Sequence, residues 1–268
     1  MPGTLFVVAT PIGNLEDITL RALRVLREAS VIAAEDTRRT AHLLARHAIT
    51  TPTTSLHEHN ERRKTSAILA RLERGENVAL VSDAGTPTVS DPGRELIREA
   101  IEAGVRIEAI PGASAVLAAL SASGLPVDHF TFLGFPPTRS KDRKNWFDRL
   151  KSADGLAVFF EAPHRIRATL AEVLAERGDC SIVVCREMTK IHEELVRGQI
   201  SDVLNRLNNP KGEFTVIVKI GRTTESDPVE VLSRAKSRRN VMAELAKAHG
   251  LSANQLYQAI EHAKKSVE

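Results

Sequence analysis

Hydrophobic positions along the chain alternate between short apolar runs and segments with helical spacing. In the first half, runs rich in Val, Ile and Ala predict β-strands at residues 5–9, 31–34, 78–81 and 106–110. Between them, apolar residues recur every three or four positions, which predicts helices with one buried face. These positions are Leu20, Leu23 and Leu26 in one segment and Ile68, Leu69 and Leu72 in another. The alternation predicts an α/β domain over residues 1–124, with a mostly parallel sheet covered on both faces.

A further helix is predicted to begin at Asp91. The carboxylate of Asp91 is suited to cap a helix, and Pro92 fits the first turn. Its buried face would consist of Leu96, Ile97, Ala100 and Ile101. We therefore interpret Asp91 and Pro92 as mainly structural.

The second half of the chain predicts a second α/β domain, residues 125–222. Its apolar runs predict strands at 130–133, 156–160, 181–185, 193–197 and 214–220. Only one short helix, 200–207, separates the last two strands, so this sheet is expected to be mixed rather than purely parallel.

The C-terminal part predicts a helical region. A polar stretch, 223–228, indicates a linker, and residues 229–268 contain no strand pattern. Two helical segments separated by a break at 249–251 resemble a helix-turn-helix, and a plain helical cap is the alternative.

Composition narrows the class of protein. Of 268 residues, 42% are hydrophobic and 26% charged, which is typical of soluble globular proteins. No apolar run reaches the roughly 18 residues of a membrane span, and the N-terminus lacks the positive region of a secretory signal. We therefore expect a cytoplasmic protein with no membrane contact. The net charge of +3 permits an anionic partner without requiring one. The spacing of Cys180 and Cys185 matches no common metal or redox motif and predicts buried thiols.

Six polar, turn-rich segments follow predicted strands directly. In open α/β sheets, ligands bind at the carboxyl ends of the strands, and with two sheets the cleft between them is the expected site. The segments are ATPIGN (9–14), EDTR (35–38), SDAGTPTVSDPG (82–93), PGASA (111–115), EAPHR (161–165) and REMTK (186–190).

These segments offer different chemistry. Asp83 follows its strand directly and is placed to accept hydrogen bonds from a ligand amine or hydroxyl. Gly112 allows close approach of the backbone, and Ser114 opens a helix whose first amides suit a carboxylate or phosphate, unless Ser114 is only a cap. The chain has neither a GxGxxG nor a Walker lysine loop, which argues against a dinucleotide-binding fold and a P-loop nucleotidase.

The charged residues of EAPHR and REMTK have two interpretations. Carboxylates and cations gathered at a cleft transfer protons and hold phosphates, and they also form structural ion-pair networks. The HEHN run (57–60) lacks the Cys or carboxylate partners of a metal site and is interpreted as a solvated loop near the cleft. Basic clusters at 62–64, 139–144 and 236–239 suit either phosphate binding or a solvated surface.

The motifs, together with FLGFPP (132–137), resemble one family in identity and order. The chain from residue 4 to about 221 is similar to small-subunit ribosomal RNA methyltransferases that modify a cytidine 2′-hydroxyl, within the tetrapyrrole (corrin/porphyrin) methylase superfamily. The resemblance implies two α/β domains of the class III methyltransferase type, with S-adenosylmethionine bent into the cleft between them. It also implies a homodimer and a 16S rRNA target within the small ribosomal subunit. Because an aromatic base-stacking signature is absent, we expect this target to be read by its shape.

The resemblance also implies site residues, and no metal is expected. The cofactor would contact Pro11, Gly13, Asp83, Gly85, Thr86, Ser114, Ala115, Phe160, Glu161, Met188 and Phe214. Glu187 and Lys190 are the candidates for removing the hydroxyl proton. Lys190 needs a lowered pKa to act as the base, and otherwise it stabilises the developing alkoxide as a cation. The candidate substrate-binding residues are Arg38, His57, Arg165 and Arg186.

Two other functions remain open from the sequence. A methylase of small tetrapyrroles would share the cofactor cleft but would need an apolar trough for its macrocycle; the polar AEDTR and HEHN stretches and the C-terminal helices speak against it. A non-catalytic RNA-binding adaptor would have no use for intact SDAGTP and PGASA loops.

Overall fold

The computed structural model describes residues 2–207 and 211–220, together with residues 246, 250, 252 and 254–256. Residues up to Ile220 belong to one compact unit. The predicted linker 223–228 and the basic cluster 236–239 lie outside the described residues. So does almost all of the predicted tail 229–268, and the choice between a helix-turn-helix and a helical cap stays open with it.

The first sheet consists of five parallel strands in the order β3-β2-β4-β1-β5, which confirms the predicted parallel sheet. The strands are β1 (Thr4–Val8), β2 (Val31–Ala34), β3 (Thr53–Ser55), β4 (Val78–Val81) and β5 (Arg106–Ile110). The connecting helices are α1 (Leu20–Glu28), α2 (Thr37–Arg46), α3 (Glu61–Glu73) and α4 (Arg94–Glu102), with a 3-10 helix at Leu15–Asp17. The sequence missed β3, which has three residues and no fully buried side chain.

Helices cover both faces of this sheet. On one face, Leu23 and Leu26 of α1 and Leu44 of α2 pack against Ile32 and Val81. On the other face, α3 and α4 supply the core through Ile68, Leu72 and Leu96. The burial of apolar surface on both sides explains why the central strands β2 and β4 are apolar at every position.

Three details of the predicted helices were wrong. Leu20 is 86% exposed and Ile101 is 60% exposed, because the buried stripes of α1 and α4 are narrower than predicted. Asp91 does not cap α4, which begins three residues later at Arg94 after Gly93, with a φ of +114°. The cap comes instead from a distant side chain. Glu61 Oε1 accepts hydrogen bonds from the amides of Gly93 (3.1 Å), Glu95 (2.8 Å) and Leu96 (3.4 Å).

The second sheet is mixed, as predicted, with the order β6-β7-β10-β8-β9. Only the β6–β7 pair is parallel. Its strands are β6 (Phe130–Phe132), β7 (Leu156–Glu161), β8 (Ser181–Arg186), β9 (Glu194–Gln199) and β10 (Phe214–Lys219). The associated helices are α5 (Ala115–Ser123), α6 (Ser140–Ser152), α7 (Ile166–Arg177) and α8 (Ile200–Arg206).

Helix α5 follows the first sheet along the chain but packs on the second. Val116, Ala119 and Leu120 contact Val158 and Ile217 in one apolar cluster. The opposite face of the second sheet is covered by α6, α7 and α8. The predicted domain boundary at residue 124 stays a prediction. Helix α5 connects the two sheets, because it follows β5 of the first sheet and packs on the second. None of the described helices has both the length and the apolar character needed to cross a bilayer.

Candidate active site

Three loops of the first sheet form one continuous edge. Thr10 N donates to Gly85 O (2.8 Å) and Gly85 N donates to Thr10 O (3.0 Å), which joins ATPIGN to SDAGTP. Gly85 has a φ of +81°, a conformation that favours glycine. A Cβ atom on Gly112 of PGASA would lie 3.0 Å from the Cβ of Ala9. The neighbouring strands β4, β1 and β5 therefore present their loops side by side, as the sequence predicted.

The REMTK loop of the second sheet reaches the same edge. Asn14 N donates to Thr189 Oγ1 at 3.0 Å. A Cβ atom on Gly13 would lie 2.5 Å from Lys190 Cγ and 2.9 Å from Met188 O. Glycine is needed at position 13 because the two loops approach so closely.

The two loops border a cavity of ≈ 190 Å³. Four of the predicted site residues line it, namely Pro11, Gly13, Asp83 and Lys190. The remaining lining residues are Thr10, Ile12, Leu15, Arg39, Thr40, Leu43, Ser82, Ala84 and Glu213. The sequence did not predict Glu213, nor Arg39, Thr40 and Leu43 of α2, because these residues lie outside the six motif segments.

Lys190 is held between two carboxylates. Its Nζ lies 2.9 Å from Glu187 Oε1 and 2.8 Å from Glu213 Oε2. Partial burial disfavours the charged amine, but the hydrogen bonds to Glu213 and Glu187 outweigh it and raise the pKa of Lys190 above its ordinary value. A raised pKa keeps the amine protonated at neutral pH. This direction favours the cationic alternative for Lys190 over the general base, and the role of Lys190 stays a prediction.

Glu187 is committed to the same cluster. Its Oε1 also accepts from Glu213 N at 2.8 Å. Burial opposes its ionisation, but the bond from Glu213 N and the Lys190 ammonium together lower the pKa of Glu187. The side chain of Glu213 is 69% exposed, against 20% for Glu187. Of these two carboxylates, Glu213 is the one that lines the cavity, and its side chain is accessible to solvent.

Asp83 is partly engaged by its neighbours. Its Oδ1 accepts from Asp36 N (2.9 Å), and its Oδ2 lies 3.5 Å from Arg39 Nε. Burial raises the pKa of Glu35, whose Oε2 accepts from Asp83 N at 3.3 Å. Burial and the nearby Glu35 carboxylate raise the pKa of Asp91 to about 6. The loop after β4 therefore encloses a group of closely spaced carboxyls beside the cavity.

Backbone strain is concentrated in the SDAGTPTVSDPG and REMTK loops. Among the described residues, five non-glycine residues have a positive φ, and four of them lie in SDAGTPTVSDPG or REMTK. These are Thr88, Ser90, Glu187 and Thr189. Strained backbone of this kind is found more often at ligand-binding and catalytic sites than elsewhere.

Four predicted cofactor residues lie in the SDAGTPTVSDPG and PGASA segments but do not line the cavity. They are Gly85, Thr86, Ser114 and Ala115. The Ser114 hydroxyl caps α5 by accepting from Leu117 N at 3.4 Å. Phe160 and Met188 are partly buried against the cluster under α5. Phe214 is 2% exposed and belongs to the core on the opposite face of the second sheet.

Glu161 and Arg165 form an internal ion pair. Arg165 Nη2 lies 2.6 Å from Glu161 Oε1, and Thr169 Oγ1 donates to Glu161 Oε2 at 2.6 Å. The Glu161 side chain is 0% exposed. These contacts support the structural interpretation of this pair, while its predicted binding roles stay predictions.

The other predicted substrate residues also have local partners. Arg186 donates to Lys211 O at 2.7 Å and pairs with Glu194 at 3.2 Å. His57 Nε2 lies 2.9 Å from Asn60 Nδ2. Arg38 pairs with Asp36 at 2.8 Å but is 88% exposed. Hydrogen bonds from Arg38 lower the pKa of Asp36 to about 2.

Comparison with known proteins relates this arrangement to a family. The model of the tetrapyrrole (corrin/porphyrin) methylases matches residues 4–204. The chain is 46% identical over 231 residues to ribosomal RNA small subunit methyltransferase I of Halalkalibacterium halodurans, covering 85% of this chain and 80% of that one. It is 42% identical to the Synechocystis sp. protein of the same name, with 96% of each chain covered.

A solved structure shares the fold. Uroporphyrin-III C-methyltransferase from Thermus thermophilus, complexed with S-adenosyl homocysteine, superposes with a TM-score of 0.57 at 18% identity. The match covers 81% of this chain and 97% of that one. The fold, the matched family model and the extent of the sequence identity agree, and the chain therefore belongs to the tetrapyrrole (corrin/porphyrin) methylase family and is a methyltransferase.

Proposed function

We propose that this enzyme methylates the 2′-oxygen of a cytidine ribose in 16S ribosomal RNA, within the small ribosomal subunit. The methyl donor is S-adenosylmethionine. The RNA target is supported by the named function of relatives with 38–46% identity and by the shared motifs. A homodimer is proposed on the resemblance alone, and a cytoplasmic location is proposed on the composition and on the named function of the relatives.

The residues at the cavity fit this methyl donor. Its sulfonium and ammonium groups are cations, and Asp83 supplies a carboxylate to the lining. Its ribose and adenine need hydrogen-bonding backbone and apolar surface, which the loops after β1 and β4 and the side chains of Ile12 and Leu43 provide. When bound, the donor supplies an electrophilic methyl group on a sulfonium that leaves as a neutral thioether.

The observation that carries the proposal is the pair of carboxylates around Lys190 in the cavity wall. Methylation of a hydroxyl needs a group that removes its proton and a group that stabilises negative charge on its oxygen. The Lys190 ammonium provides the second function. Because both loops are held together at Gly13 and Asn14, this ammonium is positioned without further reorganisation.

Glu213 is the proton acceptor in this mechanism. The Glu213 carboxylate would accept the hydroxyl proton as the ribose oxygen takes up the methyl group that the bound donor would supply, its sulfur leaving as the neutral thioether. A hydroxyl becomes much more acidic as its oxygen is alkylated, so a carboxylate is basic enough at that stage. Glu187, bonded to both Lys190 and the Glu213 amide, keeps the cluster in place.

The cavity lining also favours RNA over a tetrapyrrole. A macrocycle needs a broad apolar surface, whereas four of the thirteen lining residues carry a charge. These are Arg39, Asp83, Lys190 and Glu213. A polar, charged lining suits a ribose and its adjoining phosphates.

The proposal is tested with Glu213→Gln and Lys190→Met. We expect each variant to bind S-adenosylmethionine with nearly unchanged affinity in calorimetry. We expect methyl transfer to small ribosomal subunits that lack the modification to fall by about 10²–10⁴-fold in kcat, the usual contribution of proton transfer.

The matched control is Glu176→Gln. Glu176 is a half-exposed carboxylate that pairs with Lys151 at 2.9 Å, as Glu213 does with Lys190, but it lies on α7 outside the cavity. Normal turnover in Glu213→Gln would remove Glu213 from the mechanism. Methylation of free porphyrinoids in place of the subunits by the wild-type enzyme would favour the tetrapyrrole alternative.

A further inference from the structure

Helix α2 carries a row of basic residues beside the residues that line the cavity. Thr40, Leu43 and Leu44 form its buried side. Arg38, His42 and Arg46 are exposed and follow one another at intervals of four residues, so they lie along one face of the helix. Eight residues of helix span about 12 Å, which sets the length of the row.

The row is continuous with the cavity described above. Arg39, Thr40 and Leu43 of the same helix line that cavity. Arg38 lies one residue from Arg39, at the end of α2 nearest the loop after β2. The opposite end of the row, at Arg46, leads away from the cavity along the surface.

Helix α2 differs from the neighbouring helices α1 and α4 in its acidic residues. Arg24 of α1 pairs with Glu28 at 3.2 Å and Arg98 of α4 pairs with Glu102 at 3.0 Å, so both helices supply carboxylates for their own arginines. Helix α2 contains no Asp or Glu. Within the part of the chain that the structure describes, Arg38 pairs with Asp36, and no ion pair involves His42 or Arg46.

We propose that this face of α2, formed by Arg38, His42 and Arg46, is the docking surface for the phosphate backbone of the RNA strand whose target nucleotide enters the cavity. The inference rests on the proposed function, since it assumes an RNA substrate. Arginine side chains suit phosphates, and α2 has no Phe, Tyr or Trp that would stack on bases. The surface therefore contributes affinity and orientation, and the cavity selects the nucleotide.

The test replaces the two basic residues farther along α2 and leaves the cavity lining unchanged. The double variant His42→Gln, Arg46→Gln changes two exposed residues that do not line the cavity. The control, Arg24→Gln combined with Arg98→Gln, removes two exposed cations from α1 and α4. The probe is the small ribosomal subunit from cells lacking the modification, with binding measured over a series of KCl concentrations.

We expect the α2 double variant to bind subunits about fivefold or more weakly at low salt. The slope of log K against log salt should fall by about 0.7 for each phosphate that the variant no longer neutralises. The turnover number at saturating subunits and the affinity for S-adenosylmethionine should stay at wild-type values. The control variant should keep the wild-type affinity and slope.

The possible failures are distinguishable. Binding of the double variant equal to that of the control, or a loss that is the same at every salt concentration, would overturn the docking surface. A changed oligomeric state in light scattering would assign the face to a second copy of the chain and would also overturn it. Salt-sensitive wild-type binding without any methyl transfer would contradict the proposed function and leave the docking surface standing.

Discussion

Lys190 shows how a single residue's chemistry depends on partners far along the chain. The sequence placed this amine on a cleft loop but left its protonation state open. Glu213, 23 residues later, lies 2.8 Å from Nζ and helps raise the pKa of Lys190. Motif analysis could not identify Glu213 as a partner of Lys190, because Glu213 directly precedes β10 and belongs to none of the motif segments.

Asp91 provides a pH-dependent prediction. Its pKa is raised from 3.8 to about 6, mainly by burial, so the folded state binds this proton more tightly than the unfolded state. The stability linked to this group is fully present below about pH 4 and is lost as the pH rises through about 6. We expect Asp91→Asn to be more stable than the wild-type protein above pH 6, with the difference vanishing toward pH 4, in urea unfolding at a series of pH values.

The comparison variant for this experiment is Asp148→Asn, at an exposed carboxylate on α6. It should not reproduce the pH-dependent gain of Asp91→Asn. A stability difference for Asp91→Asn that stays constant from pH 4 to pH 7 would show that Asp91 titrates normally in the folded protein.

At the level of elements, the N-terminal end of α4 is capped by a side chain of another helix, α3. The sequence contained a plausible local cap, Asp91, yet Glu61 of α3 accepts from three amides at the start of α4. Local propensity identified the existence of the helix, and tertiary contact set its first residue.

Removal of this cap gives an element-scale prediction. We expect Glu61→Ala to lower the free energy of unfolding by about 1–2 kcal/mol, because the amides at the start of α4 lose their acceptor. Hydrogen exchange of Gly93, Glu95 and Leu96 should accelerate. Glu58→Ala, at an exposed position three residues earlier, is the control and should change neither quantity. Unchanged exchange in Glu61→Ala would mean that another group caps α4.

Two of the elements that the sequence missed, β3 and α6, have few buried apolar positions. Strand β3 is short and partly exposed, and α6 is dominated by charged residues, with only Trp146, Phe147 and Leu150 buried. Periodicity analysis depends on repeated apolar positions, so elements with few of them give a weak signal.

At the scale of the whole molecule, the cavity depends on contact between loops of the two sheets. Gly13 is the closest point of that contact, because any Cβ atom there would meet Lys190 Cγ at 2.5 Å and Thr189 Oγ1 at 2.7 Å. We expect Gly13→Ala to push the REMTK loop away from ATPIGN and to lower kcat/KM for methyl transfer by about tenfold or more, since small misplacements of reacting groups are costly.

Thermal unfolding provides the second measurement for Gly13→Ala. The substitution lies in an exposed loop outside the apolar clusters, so the melting temperature should change by only a few degrees. Wild-type kcat/KM in this variant would show that the close approach of the two loops is not needed for catalysis.

The sequence by itself determined the two sheets, the parallel pairing of the first, the mixed character of the second and the loops that carry the family motifs. It did so because buried strands and amphipathic helices impose local periodicity, and because glycine-rich turns have few conformational alternatives. It also predicted Pro11, Gly13, Asp83 and Lys190 as site residues, and the structure places these four in the lining of one cavity.

Only the tertiary structure decided which charged groups meet. The antiparallel register of β10 with β8, in which Phe214 lies opposite Arg186, brings Glu213 beside Glu187 and Lys190. The packing of α3 against α4 assigns the helix cap to Glu61 and leaves Asp91 as a half-buried acid. Protonation and capping depend on distances of a few ångströms between segments remote in the chain, and a linear pattern of residue types does not encode those distances.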